Sequence, residues 1–202
     1  MKQIKTYKRI GIFGGSFDPP HIGHCIIAAT AAEQLRLDKL IFVPAYIPPH
    51  KKHRSTSTAR HRLAMTRLAL RGDERFACSD LEVRRKGVSY TVDTLRSMKQ
   101  RYSDAELFLI IGGDSLAMFP SWREPENIVR LARLAVYVRP DFPSKIKWKG
   151  FKHIDHVVGP LLEISSSTIR GMVARGKSAR YFVPDSVDRY IRSHKLYRRK
   201  KR

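Results

Sequence analysis

The sequence predicts an α/β fold: one domain built on an open, doubly wound, mainly parallel sheet with helices on both faces. Three observations predict it. Short apolar runs alternate with longer helical stretches along the whole chain. The apolar runs are near-continuous, as strands covered on both faces require. The length, 202 residues, suits a single well-buried core.

The elements follow in order. RIGIF (Arg9–Phe13) is a short strand running into glycines, and a helix spans Ile22–Leu35. KLIFVP (Lys39–Pro44) is the second strand, followed by a helix over Ala59–Leu70 behind two capping candidates, Ser57 and Thr58. RFACSDLEV (Arg75–Val83) reads as a strand, Val92–Arg101 as a helix and ELFLIIG (Glu106–Gly112) as another strand. A helix at Glu126–Leu131, strands RLAVYV (Arg133–Val138) and HIDHVV (His153–Val158), and a helix at Thr168–Arg175 complete the alternation. The last helix, about Ser186 to Lys195, starts behind Pro184-Asp185, a suitable helix entry. This order is Rossmann-like. Ala45–Thr56, with three prolines and a basic run, and Pro140–Lys152 read as loops, and YRRKKR at the end as a solvated tail too charged to pack. No internal repeat or low-complexity linker interrupts the pattern.

Composition narrows the class of partner. With 42% hydrophobic and 29% charged residues the chain reads as a soluble globular protein. Forty Lys and Arg against 18 Asp and Glu give +22, a field that attracts nucleotides, nucleic acid or an anionic surface without choosing among them. Cys25 and Cys78 lie far apart in apolar company and read as buried free thiols of a reducing compartment. No apolar segment follows the basic N-terminus as in a secretory signal, and no apolar run approaches the ~20 residues that span a bilayer. The expectation is a cytoplasmic protein with no membrane partner.

GIFGGSFDPPHIGH (Gly11–His24) carries the first chemical signal. It lies beyond the carboxyl end of the first strand, where doubly wound sheets bind ligands. Gly14 and Gly15 let backbone N–H groups approach a ligand, and a helix N-terminus that follows is a natural anion site. His21 and His24, at i and i+3, share one face there and could donate to phosphate oxygens. Glycine-rich junctions are common by themselves, and the strict GxGxxG fingerprint is absent, an aromatic (Phe17) standing within the turn. The paired imidazoles make phosphate the better reading over simple capping. The pairs His50/His53 and His153/His156 repeat the spacing, but no cysteine cluster or HExxH partner accompanies any pair, so a protein zinc site is not expected.

EISSSTIRG (Glu163–Gly171) is the second signal. Its hydroxyls can cap the incoming helix, and together with Arg170 they can also cradle a phosphate. Two such cradles suit a polyphosphate held between two helix starts.

GGSFDPPHIGH resembles the [T/H]xGH signature of the nucleotidyltransferase superfamily, and ISSSTIR its ISSTxxR signature. VPAYIPPHK (Val43–Lys51), SYTVDTL (Ser89–Leu95) and IIGGDSLAMFPSW (Ile110–Trp122) extend the likeness to the bacterial nicotinate-mononucleotide adenylyltransferases, from about Arg9 to Tyr197. The high charge and the residues beyond Tyr197 (198–202, a basic tail) fall outside it. The resemblance implies transfer of AMP from ATP to nicotinate mononucleotide with Mg²⁺ carried by ATP, and assigns roles by position. Gly14, Gly15, Ser16, Phe17, His21 and His24 would hold ATP around its α-phosphate, while Ser166, Ser167 and Arg170 would hold the β- and γ-phosphates. Gly113 and Asp114 would meet the adenosine ribose. Trp122 would stack on the pyridine ring, with backbone amides near Thr91 and Arg123 receiving its carboxylate and Ser89 and Tyr90 beside them. Lys51 and Lys52 could reach phosphate from the proline-rich loop, or remain solvated. His21, His24 and Arg170 would act on the reacting phosphates, with no covalent nucleophile. At a helix N-terminus, where the dipole disfavours imidazolium, the histidines would act as hydrogen-bond donors.

Three other readings compete. Phosphopantetheine adenylyltransferase shares both signatures but lacks the SYT, GGD and Trp set. A class I aminoacyl-tRNA synthetase carries a HIGH motif, yet there is no KMSKS-like stretch and no room for an anticodon domain. A nucleic-acid-binding module needs a basic stripe interleaved with stacking aromatics, whereas these charges are dispersed. A nicotinamide mononucleotide acceptor also remains open, as does the oligomeric state.

Overall fold

Residue 7 begins the described part of the chain in this computed structural model, which covers residues 7–49, 57–138, 146, 148–151 and 153–198. The first half runs β1 (Arg9–Gly15), α1 (Ile22–Gln34), β2 (Lys39–Pro44), α2 (Ala59–Ala69), β3 (Phe76–Cys78), α3 (Leu81–Arg85) and α4 (Thr91–Arg101). The second runs β4 (Glu106–Gly112), α5 (Gly113–Met118), a 3-10 turn (Phe119–Ser121), α6 (Pro125–Leu131), β5 (Arg133–Tyr137), β6 (Ile154–Val157), α7 (Ser166–Ala174) and α8 (Asp185–Ser193).

All strand pairs are parallel, in the order β3-β2-β1-β4-β5-β6. The chain builds outward from β1 through β2 and β3, then returns to the other side of β1 with β4. The junction between β1 and β4 is therefore the switch point, and its carboxyl-end crevice is where such sheets take ligands.

Strand alternation divides the core. Ile10, Ile12, Ile41, Leu107, Leu109 and Leu134 face α4 and α6, packing on Val92, Leu95, Met98 and Ile128. Phe13, Leu40, Phe42, Phe108, Ile110 and Tyr137 face α1, whose Ala28, Ala31 and Ala32 are small enough to bring that helix close. Both faces are buried, which is why the strand sequences lack polar alternation. A third cluster joins α2, α7 and α8 through Met65, Ile169, Val187 and Ile191.

Several boundaries depart from the sequence expectation. The stretch Arg75–Val83 is a strand only over β3; the chain then turns into α3. Ser79 Oγ accepts from the Leu81 amide at 3.2 Å, and Asp80 pairs with Arg84 at 2.9 Å. That local side-chain capping overrides the apolar alternation. Of the two capping candidates, Thr58 is the N-cap of α2, accepting from the His61 amide, while Ser57 bonds Asp18. Helix α5 and the 3-10 turn were not foreseen, because GDSLAM is too short to show a period. Tyr197 does not belong to a solvated tail: it packs into the third cluster and only Arg198 of the described residues lies beyond it. Both cysteines are free but half-buried rather than fully buried.

Burial still governs those thiols, pushing Cys25 from 9.0 up to about 11 and Cys78 up to about 12. A rise of two units lowers the reactive thiolate fraction about 100-fold at neutral pH. Native protein should therefore react with a disulfide reagent at pH 7.5 at least about tenfold more slowly than protein unfolded in guanidinium. A rapid burst of two thiols from folded protein would contradict that.

Candidate active site

A cavity of about 610 Å³ opens over the carboxyl ends of β1 and β4, the size of a small-ligand site. The β1–α1 junction lines one side with Gly14, Gly15, Ser16, Phe17, His21 and His24. The start of α7 faces it with Ser166, Ser167 and Arg170. Gly112 and Asp114 line the floor at the end of β4. Ser89, Tyr90 and Thr91, at the entry to α4, and Trp122 and Arg123, after the 3-10 turn, line the remainder. Gly113 does not reach the wall: it is buried as the first residue of α5, between two residues that do. Lys51, Lys52 and the pair His50/His53 lie outside the described residues.

The histidines are held by each other. His21 is the N-cap of α1, and its amide donates to His24 Nδ1 at 3.1 Å. With Nδ1 accepting, a neutral His24 carries its proton on Nε2, ready to donate. The two rings stack at 3.7 Å, and Phe17 meets the His24 ring edge-on at 5.0 Å. Phe17 holds a left-handed backbone (φ 49°) and is buried, so the aromatic in this turn serves to brace an imidazole. Gly23 leaves the room: a Cβ there would lie 3.1 Å from His21 Nδ1.

One expectation changes. The first amide of α1, Ile22 N–H, donates to the Phe182 carbonyl at 2.9 Å, and those of His24 and Cys25 to the His21 carbonyl. The backbone donors of this helix start are thus largely engaged within the protein. What this junction presents to the cavity is the imidazoles and the Gly14–Gly15 turn.

The two signature stretches are bonded to one another. Arg170 Nη1 donates to the Asp18 carbonyl at 2.8 Å, and Ser166 Oγ to the Pro19 carbonyl at 2.8 Å. Arg170 Nη2 also donates to Ser167 Oγ at 3.1 Å, which aims the guanidinium across the cavity wall. Ser165 is the N-cap of α7, accepting from the Thr168 amide at 3.0 Å. With the Ile169 amide donating to the Ser165 carbonyl, only the Ser166 and Ser167 amides of the first turn of α7 are left for an outside acceptor.

Beneath these loops lies a buried polar layer that sequence reading missed. Arg62 on α2 is 1% exposed; it donates to the Ser16 carbonyl and to the Tyr46 carbonyl, each at 2.9 Å. It thereby ties the turn after β1 to the turn after β2. Burial lowers its pKa, opposed first by the nearby charge of Asp18. Glu82, also buried, accepts from Thr94 and from Ser89, and burial raises its pKa. Ser89 in turn holds Tyr46 by accepting from its amide at 2.9 Å. The signal was weak, since Arg62 sits in ARHRLAMTR, which reads as a solvated helix face.

On the opposite wall, the Arg123 guanidinium sits 4.7 Å above the Tyr90 ring, joining the two expected acceptor segments. Trp122 packs 5.3 Å from Phe119 at the edge of the core, combining the expected loop position with partial burial. At the floor, a Cβ on Gly112 would come 2.6 Å from Asp114 Oδ1, so the glycine makes space for that carboxylate.

A parallel sheet with this crevice and two facing signature loops defines a nucleotidyltransferase-type fold, and the cytidylyltransferase-like family model matches residues 12–172. The curated relative from Thermomicrobium roseum, described as "Probable nicotinate-nucleotide adenylyltransferase", is 46% identical over 94% of this chain and 92% of its own length. A relative from Shouchella clausii with the same description is 42% identical over 94% of this chain and 97% of its own. The nicotinic acid mononucleotide adenylyltransferase of Plasmodium falciparum, solved with NaAD, shares the fold at TM-score 0.78 and 22% identity, covering 94% and 97% of the two chains. The chain belongs to the family of nicotinate-nucleotide adenylyltransferases.

The Glu82 shift makes a pH prediction. A carboxyl whose folded pKa is raised adds stability below its unfolded value, near 4.5, and loses it as pH rises through the folded value. Glu82→Gln cannot ionise, so its Tm relative to the parent should be higher at pH 8 than at pH 4.5. Scanning calorimetry at both values checks this; a difference of the opposite sign would contradict the buried carboxyl's role.

Proposed function

We propose that the chain transfers AMP from ATP to nicotinate mononucleotide, forming nicotinate adenine dinucleotide and pyrophosphate, as a cytoplasmic step of NAD biosynthesis. The observation that carries the site assignment is the clamp of Arg170 and Ser166 on the Asp18 and Pro19 carbonyls, which unites a guanidinium and two imidazoles in one cavity. Residues 1–202 form one nucleotidyltransferase domain in this reading, with 198–202 a basic tail.

An oxygen of the acceptor phosphate attacks the α-phosphorus of ATP, forming the new P–O bond as the bond to the bridging α,β oxygen breaks. Pyrophosphate leaves with that bonding pair. Since the nucleophile is already an anionic oxygen, the chain's task is positioning and charge stabilisation. His24 donates from Nε2 to the α-phosphate and His21 supports it, while Gly14, Gly15 and Ser16 let the backbone approach. Arg170, Ser167 and the first-turn amides of α7 hold the β- and γ-phosphates. Ser166 acts mainly by fixing the loop, its hydroxyl proton being engaged on Pro19. Asp114 accepts from ribose hydroxyls beside Gly113. Nucleotidyltransferases of this kind generally use a divalent metal, and we assign Mg²⁺ carried on ATP, where it offsets phosphate charge.

On the acceptor side, Trp122 stacks on the pyridine ring, and the amides near Thr91 and Arg123 receive the carboxylate, with Ser89 and Tyr90 shaping the pocket and Lys51 assigned to the acceptor by the family resemblance. Donors alone match a carboxylate at both oxygens, whereas a carboxamide turns its NH₂ toward one of them. No nucleic acid or membrane partner is required, and the +22 charge favours capture of anionic substrates.

His24→Ala should lower kcat/KM by about 10²-fold or more, with a Tm loss of only a few degrees from the missing cap on the His21 amide. Wild-type turnover would remove the phosphate role, and an unfolded variant would make the residue structural. Nicotinate mononucleotide should exceed nicotinamide mononucleotide by at least ~10²-fold in kcat/KM, given ~1–3 kcal/mol per mismatched buried group. Trp122→Ala should weaken both acceptors while keeping that ratio. Pyrophosphate release measures all three, and equal efficiency on the two mononucleotides would overturn the selectivity.

A further inference from the structure

Asp18 sits at the centre of the β1–α1 turn, 2% exposed, and its two halves have different partners. Its carbonyl accepts from Arg170 Nη1 at 2.8 Å. Its Oδ1 accepts from Tyr197 OH at 2.7 Å and from Ser57 Oγ. Ser57 immediately precedes the N-cap of α2, and Tyr197 lies after α8, so residues far apart in sequence meet on one carboxylate oxygen. Lys195 and Tyr197 both hold left-handed backbones (φ 52° and 61°), which side chains other than glycine rarely adopt. Such a conformation persists where surroundings fix it, and here Leu196 and Tyr197 are packed into the α2/α7/α8 cluster. The buried phenol is raised well above its usual range, by burial first and then by Asp18, so it stays a donor at every working pH.

We propose that Tyr197 and Ser57 are positioning residues for the donor half of the site, acting through Asp18 on Arg170. This rests on the reading of Arg170 as an ATP phosphate ligand. With both donors in place, the Asp18 carboxylate is held against the pull of the Arg62 charge, and its carbonyl direction is fixed. Without Tyr197 OH, the carboxylate turns toward Arg62, the Asp18–Pro19 peptide moves with it, and Arg170 loses its anchor. Thr91 and Trp122 hang on other elements, so the acceptor half is little affected.

The test is steady-state kinetics on full-length Tyr197→Phe, Ser57→Ala, Arg170→Ala and, as control, Tyr190→Phe. Tyr190 OH and His61 Nδ1 share a hydrogen bond at 3.0 Å in the same helical layer. Tyr197→Phe should raise KM for ATP about 5–10-fold, less than a direct hydrogen bond to a charged group would give, and leave KM for nicotinate mononucleotide within about twofold. Ser57→Ala should repeat the pattern, which keeps the proposal testable if Tyr197→Phe folds poorly, and Tyr190→Phe should match wild type. A lower Tm with both KM values unchanged, or an equal rise in both, would reduce these residues to structural ones and overturn the proposal. If Arg170→Ala itself leaves KM for ATP unchanged, the donor-site reading fails first and the proposal with it.

Discussion

Two backbone carbonyls, those of Asp18 and Pro19, hold the site together. Each accepts from a side chain of α7, Arg170 on one and Ser166 on the other, so the first turn of the sheet and the last stretch of the signature are fastened by hydrogen bonds rather than by packing. The guanidinium bond is charge-assisted, the stronger kind. The cavity walls depend on it, because α7 otherwise touches the rest of the molecule mainly through the apolar cluster with α2 and α8. The arrangement also sorts the hydroxyls: Ser165 caps, Ser166 fastens and Ser167 orients the arginine.

The rest of the architecture serves the same end. The order of strands puts the switch point between β1 and β4, and both strands end in glycine there. Phe13, Phe17 and Phe42 pack together beneath the turn, their rings 5.2–5.6 Å apart, and carry His24 on their edge. Arg62 reaches the Ser16 and Tyr46 carbonyls from below and closes the gap between two loops that the sheet leaves separate. Burying that guanidinium is costly unless its donors are matched. Those two carbonyls take Nη1 and Nη2, and the Asp18 charge nearby offsets part of the cost of the buried Nε, which has no hydrogen-bond partner among the described residues.

Much of this was legible in the sequence, for physical reasons. Strands β1, β2 and β4 are apolar on both faces and bounded by glycine or proline, so their existence was clear, although β1 continues through the two glycines expected to end it, to Gly15. That the two signature stretches share one cavity was legible as well, because glycine, histidine, serine and arginine at those spacings suit a common ligand wall. What was not legible depends on distance along the chain. Nothing near Arg62 indicates that its guanidinium is buried, and nothing near Tyr197 indicates that it meets a carboxylate 179 residues away. The strand expected over Arg75–Val83 failed because Ser79 and Asp80 offer local hydrogen bonds that alternation does not register. The engagement of the α1 amides by Phe182 was likewise invisible, since the partner comes from the far end of the chain.

The central claim is that the two signature stretches form one polyphosphate site through their shared clamp, and a double-mutant cycle on ATP binding tests it most directly. Calorimetry with a non-hydrolysable ATP analogue would compare wild type, His24→Ala, Arg170→Met and the double variant. If Arg170 holds the turn that presents His24, losing His24 should matter less once Arg170 is gone, with a coupling of about 1 kcal/mol or more. Costs that add within about 0.5 kcal/mol would show two independent anion sites and contradict the account.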